Sequence, residues 1–545
     1  MQQQAVNLFD WENGIFRPGK LAWDKGRIVA FDPLPDGEGL PYALPGLVDA
    51  HVHIESSMLL PAAFARLAVV HGTVATVSDP HEIANVMGTA GVHFMIANSR
   101  KVPFKCFFGA PSCVPATSFE TAGAEIGPGE IRELLENPDI WYLAEMMNWP
   151  GVLYTDAGVM EKIAHAKALG KPIDGHAPGL TGEQARQYFS TGIATDHECY
   201  QLEEAMGKAA LGVKILIREG SAARNFNTLL PLFHHYPDQL MFCSDDKHPD
   251  DLLLGHINTL VQRALAAGHD FVKVWKAASV NPVLHYRLPV GLLRVGDPAD
   301  FLLIDQPTQH FKVLQTVIEG QVVAENGRTL LPEISDQPIN CFLATPKKTE
   351  DFRYAAHAGE LPVMVAIDRE LITRGDRIAC PPGSWVEADP AANLLKITVV
   401  NRYADKAPAV AFIRNFGLQK GALASSVAHD SHNIIAVGTD DHALALAVNA
   451  VIEDQGGIAA TDGEQVLRLP LPVAGLMSVE SGETVAAQYT ALHQFAKNVL
   501  GSPLSAPFMT LSFMALLVIP RYKLSDKGLF DGESFTFVKV NQEKP

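Results

Sequence analysis

PGLVDAHVHIESSM, residues Pro45 to Met58, carries a β-rich apolar run that ends in His51-Val52-His53. Successive side chains of a β-strand turn to opposite faces, so a strand here would set both imidazoles on one face. Two neutral imidazoles so placed can chelate one divalent cation. The motif alone is weak, because a single histidine is more often a core or surface residue than a ligand.

The same design recurs downstream. Short β-rich runs ending in polar residues alternate with amphipathic segments, the pattern of parallel strands joined by crossover helices. Eight strand candidates fall at 47–54, 72–80, 105–112, 140–148, 172–179, 193–200, 213–220 and 239–246. Between them, 60–70, 157–169 and 181–189 space apolar residues by three and four, as helices do. Eight βα units predict an α/β fold, a (β/α)₈ TIM-type barrel, which needs about 250 residues. A doubly wound open sheet competes, but no Gly-rich phosphate fingerprint accompanies the repeats.

Strand candidate four ends in Glu145, five in His176, six in His197, and eight in Asp245 and Asp246. In a barrel these ends converge on the face where active sites are built. Five separate strands ending in ligand-type side chains point to a metal-assisted site.

Flanking the barrel candidate at 45–284, residues 1–44 read as short strands, and a second strand-rich piece follows it. Neither holds enough apolar pattern for its own core, so 1–44 and 285–339 are expected to pair into one small, discontinuous β-domain. Residues 340–545 are expected to form an α+β C-terminal domain. Of 545 residues, 47% are hydrophobic and 19% charged, which is ordinary for a folded protein. The 61 acidic against 43 basic residues, a formal charge of -18, repel phosphate backbones and anionic headgroups, so neither nucleic acid nor membrane is an expected partner. The start, MQQQAVNLFDWENG, lacks a basic stretch followed by an apolar run, and the six cysteines form no C-x-x-C pair. A cytoplasmic protein with reduced thiols is expected, and a homo-oligomer, a dimer or larger, is the expected assembly.

PGLVDAHVHIESSM, SDPHEIANVMG, AEMMNWPGV, DGHAPGL, FCSDDKHPDD and GDPADFLLID together resemble the amidohydrolase superfamily, and within it the bacterial and archaeal adenine deaminases. SSVAHDSHNIIAVGTDD and FMTLSFMALLVIP resemble the C-terminal domain peculiar to those deaminases. The resemblance implies hydrolytic deamination of a purine substrate, adenine, to hypoxanthine and ammonia by a metal-bound hydroxide. It implies a binuclear centre in which His51 and His53 hold the more buried cation and His176 and His197 the more exposed one. Glu145 would bridge them, where many relatives that open cyclic amides use a carbamylated lysine. Asp245 would ligate one cation and shuttle the proton. Two cations sharing a hydroxide bring the pKa of water toward neutrality. Imidazole and carboxylate accept manganese, iron or zinc, and manganese or iron is expected.

Glu82, just past strand candidate two, is a candidate for the ring-nitrogen contact, with His81 orienting it or binding substrate; a loop carboxylate capping a helix that begins near Ala84 is the alternative. Arg218, Glu219 and Ser221 are candidates for the purine edge, although an Arg-Glu neighbour pair is often a surface ion pair. Asp246 and His248 can fix ligand geometry. His429, Asp430 and His432, with Asp440 and Asp441, read either as a solvated loop or as a lid or auxiliary metal site. Competing functions are ring opening of a dihydropyrimidine or hydantoin, against which Glu145 argues, and a non-catalytic metal-binding barrel.

Overall fold

The computed structural model describes residues 1–221, 223–355, 359–381 and 385–538. They form two compact units: Met1–His81, Val92–Cys113 and Ile126–Ser335 make the first, Glu82–Gly91, Val114–Glu125 and Asp336–Pro545 the second.

The first unit opens with β1 (Gln2–Asp10), β2 (Ile15–Asp24), β3 (Arg27–Pro33) and β4 (Tyr42–Pro45). After Gly46, where a Cβ would stand 2.4 Å from the Val74 side chain, come the barrel strands. These are β5 (Leu47–Val52), β6 (Thr73–Ser78), β7 (Lys105–Ala110), β8 (Ile140–Met146), β9 (Ile173–Gly175), β10 (Thr195–Asp196), β11 (Lys214–Arg218) and β12 (Leu240–Cys243). All eight arise where the sequence pattern places them. β5 to β9 pair in parallel as one run and β10 to β12 as another. The seam between β12 and β5 is closed by Asp245 N–H to His51 O at 2.9 Å and His53 N–H to Asp245 O at 3.4 Å. Both faces of a barrel wall are covered, so β5 and β6 are buried along their whole length.

Crossover helices follow the predicted spacing. Pro61–Ala68 starts on a proline, which supplies the φ a first turn needs, and Ala157–Ala168 starts on Asp156, whose side chain accepts from Val159 N–H. Beyond the barrel, β13 (Phe301–Ile304), β14 (Val313–Ile318), β15 (Gln321–Glu325) and β16 (Arg328–Thr329) join the first four strands in one sheet of order β16-β15-β14-β13-β4-β1-β2-β3. Its core includes Val6, Leu21, Trp23, Phe301 and Val317, drawn from both ends of the unit.

The second unit is built on another eight-stranded sheet, whose inner strands include Leu395–Val400, Ile434–Gly438 and Gly457–Thr461. The helix Asp441–Glu453 buries Leu444, Val448 and Val451 in its core. Two segments from within the barrel's stretch of sequence belong to this unit: Thr121 N–H and Oγ1–H donate to Asp526 at 2.9 and 2.7 Å, and Asn433 Nδ2 donates to Thr121 O at 2.8 Å. Among the described residues, no helix is long and apolar enough to cross a membrane.

Candidate metal centre

Where β5 ends, His51 and His53 bring their Nε2 atoms to 3.2 Å of each other. His53 Nδ1 lies 3.1 Å from the carbonyl oxygen of Asp79, which can only accept, so Nδ1 carries the hydrogen and in the neutral ring Nε2 presents a lone pair. That lone pair faces Asp245 Oδ1 at 3.2 Å and Glu145 Oε1 at 3.4 Å. Two imidazoles and two carboxylates gathered this closely need a positive charge among them. The donor set therefore fits a divalent cation.

Glu145, 3% exposed at the end of β8, divides its two oxygens. Oε1 faces His53, while Oε2 lies 2.6 Å from His176 Nδ1 and 3.2 Å from His197 Nε2. The His197 ring stacks on His51, with centroids 4.1 Å apart. One carboxylate thus addresses His53 on one oxygen and His176 and His197 on the other, as a bridge between two cations would. Burial and the neighbouring His197 and His53 hold the His51 imidazole well below its usual range, keeping it the neutral ligand form.

Asp245 follows β12 in the left-handed region at φ 54°, a conformation that costs a non-glycine residue about 1–2 kcal/mol. Its N–H and C=O are pinned by β5, so the strained backbone is the seam itself. Its side chain is also divided: Oδ1 looks to His51 and His53, and Oδ2 accepts from Arg218 Nη1 at 2.6 Å. Burial pushes the Asp245 carboxyl up, but the Arg218 guanidinium overrides it and holds the group well below the usual carboxylate range. Arg218 also grips both oxygens of Glu198, with Nη2 to Oε2 at 3.1 Å. His81 Nδ1 stands 3.3 Å from Asp79 Oδ2 and 3.5 Å from Glu145 Oε1.

The remaining candidates have partners of their own. Arg218 and Glu219 do not pair with each other: Glu219 accepts from Arg263 at 2.5 Å, and Ser221 Oγ donates to Asp251 at 2.6 Å while accepting from His248 N–H. Asp246 accepts from Ser56 Oγ at 2.5 Å. The helix expected near Ala84 begins at His81, and Glu82, fully buried in its first turn, is no exposed loop carboxylate. Glu82 belongs to the second unit, with Oε1 3.6 Å from His429 Nδ1 and His432 beside them. His432 Nδ1 accepts from Ala428 N–H at 3.3 Å, so in the neutral ring Nε2 carries the hydrogen. His429, Asp430 and His432 are buried, not a solvated loop. Asp440 and Asp441 are not gathered with them; Asp440 caps the helix Asp441–Glu453, and Asp441 pairs with Lys396 at 2.6 Å.

Residues 42–323 match the model of the amidohydrolase family, and residues 370–536 match that of the adenine deaminase C-terminal domain. An adenine deaminase of Sulfurovum sp. is 54% identical over 538 residues, covering 99% of each chain, and one of Salinibacter ruber is 53% identical over 539 residues, covering 98% of each. The chain belongs to the adenine deaminase family. An N-acetyl-D-glucosamine-6-phosphate deacetylase from Mycobacterium smegmatis is 17% identical, with a TM-score of 0.46, covering 59% of this chain and 100% of that one.

In this adenine deaminase family member, the sequence pattern misses Glu198 and Asp49. Alternation puts residue 198 on the opposite face from His197, but β10 ends at Asp196, so alternation stops and Glu198 turns inward to Arg218. Asp49 had a signal, since it shares a strand face with His51 and His53. It accepts from Ser244 N–H at 2.9 Å and lies 2.8 Å from His256 Nε2, tying β5 to the residue before Asp245.

Proposed function

We propose that this chain hydrolyses the exocyclic amine of adenine, giving hypoxanthine and ammonia, at the β5–β12 end of the barrel. The observation that carries the reading is the divided Glu145 carboxylate, which faces His53 on one oxygen and His176 and His197 on the other. His51, His53, His176, His197, Glu145 and Asp245 would hold two divalent cations, manganese or iron, with zinc also compatible with the donor set. Bound there, the cations would lower the pKa of water and polarise the reacting carbon.

The protein's own groups do the rest. Asp245 Oδ1 takes a proton from the attacking water as its oxygen bonds to the amine-bearing carbon. His81, oriented by Asp79, gives a proton to the adjacent ring nitrogen as the ring loses aromaticity. The proton held by Asp245 passes to the amine, the C–N bond breaks as the added oxygen becomes the carbonyl and returns its remaining proton to His81, and ammonia leaves. Arg218 binds Oδ2 and so keeps Oδ1 turned to the reacting centre.

Ammonia release from a panel of aminopurines, with protein reconstituted in Mn²⁺ and separately in Fe²⁺, tests the reading. Turnover of adenine that requires added metal is the expected result. Ring opening of a hydantoin or dihydropyrimidine without adenine turnover would overturn it.

A further inference from the structure

β9 and β10 are three and two residues long and pair with different sheet runs, yet they deliver His176 and His197. The ladder that fixes spacing elsewhere in the wall is weak here. Ala194 N–H to Ile173 O, at 3.0 Å, is the backbone bond across the gap. Side chains supply the rest: Gly175 N–H donates to Thr195 Oγ1 at 3.1 Å, and Thr195 Oγ1 donates to Asp174 at 2.9 Å.

The strongest tie comes from outside the strands. Lys208, in the last turn of the helix Leu202–Ala209, is 1% exposed. Its ammonium donates at 2.6 Å to each of three acceptors: the carbonyl of Ala177, the Asp196 carboxylate and the Glu204 carboxylate. Ala177 follows His176, and Asp196 precedes His197. All three hydrogens of the ammonium are used, so it cannot swing to another geometry without losing a bond. Asp196 accepts in addition from Glu198 N–H at 2.9 Å and from Ala177 N–H at 3.4 Å, closing a ring of bonds around the gap.

We infer that Lys208 is a positioning residue: through Ala177 and Asp196 it sets the separation of His176 and His197, and with it the affinity of the cation those two imidazoles hold. The inference rests on the metal-centre reading above. Cation sites tolerate ligand displacements of only about 0.2 Å, and changing groups that orient ligands typically weakens metal binding about 10- to 100-fold. The effect is selective. His51 sits on β5 and His53 directly follows it, and this strand is anchored independently by Asp49 and the β12 seam.

The experiment is equilibrium dialysis of metal-free protein against Co²⁺, with the visible spectrum of the bound ion recorded. The variant Lys208→Met/Glu204→Gln removes the cation and one carboxylate together, while Asp196 keeps its backbone donors. One equivalent should bind as in wild type and the second about 10- to 100-fold more weakly. Glu204→Gln alone, which leaves both bonds across the gap, should bind two equivalents normally. Unchanged binding in the double variant, equal weakening of both equivalents, or selective loss in Glu204→Gln would each overturn the proposal. Should the double variant not fold by circular dichroism, Asp196→Asn takes its place, with selective weakening expected and normal binding of both equivalents contradicting it. His176→Ala separates the two readings. Retention of both equivalents there defeats the metal assignment itself, whereas loss there with normal binding in the Lys208 variant defeats only the positioning role.

Discussion

Lys208 in the barrel unit and Lys523 in the second unit are both buried, yet they are held in opposite ways. Lys208 meets two carboxylates and a carbonyl, whereas Lys523 donates to the carbonyls of Leu371 and Phe513 at 2.6 and 2.8 Å. Burial disfavours the ammonium in each case. At Lys208 the charges of Asp196 and Glu204 override it and lift the pKa above the usual lysine range; at Lys523 burial acts unopposed and brings it down to about 7. The buried arginines repeat the contrast. Arg218 grips Glu198 and Asp245, but Arg402 donates to the carbonyls of Cys341, His432 and Ala474 and to Asn340 Oδ1. Ion pairing through Arg218 and Lys208 fixes charged groups in place around the candidate metal centre. Lys523 and Arg402 tie uncharged loops together, where position matters and charge does not.

The largest effect expected from this contrast is on stability. Arg218→Met strands two buried carboxylates and should cost the metal-free protein about 3–5 kcal/mol. Arg402→Met strands neutral acceptors and should cost about 1–3 kcal/mol. Urea denaturation of the two variants measures the difference, and equal losses would erase the distinction.

Next comes a pH dependence. Lys523 has a folded pKa of about 7 against about 10.4 unfolded, so between these values the unfolded chain binds more protons and its contribution to stability rises with pH. Lys208 has the opposite sign: its contribution is present below about 10.4 and fades as pH climbs through its higher folded value. In Lys523→Met the rise between pH 7 and the alkaline end should vanish relative to wild type. A variant whose stability still climbs in parallel with wild type across that window would show that Lys523 is charged when folded.

The smallest effect belongs to Glu219 and Ser221, which the sequence offered as purine contacts. Because they are engaged with Arg263 and Asp251, Glu219→Gln and Ser221→Ala should change kcat/KM for adenine by less than about threefold. A tenfold or greater rise in KM in either variant would return them to the substrate.

What could be read from sequence followed from one rule, that side chains at the C-terminal ends of barrel strands converge. The alternation of β-rich and amphipathic runs gave the eight strands, and the rule then singled out His51, His53, Glu145, His176, His197, Asp245 and Asp246 because they end strands. It fails where strands are too short for alternation, as at β10, and so passed over Glu198. It is silent on partners contributed by helices, which is why Lys208 and His256 were invisible. Nor could it show that Glu82–Gly91 and Val114–Glu125 join the second unit, since contacts such as Thr121 with Asp526 span about 400 positions of sequence.

The central claim is that Asp245 combines a place at the metal centre with the transfer of a proton, and Asp245→Asn tests it most directly. Asn keeps the shape and one oxygen for the cation but cannot accept and return a proton near neutral pH. Turnover of adenine by the Mn²⁺-loaded variant, measured beside its metal content, should fall at least about a hundredfold with two equivalents still bound. Near-normal turnover with both equivalents bound would contradict the account.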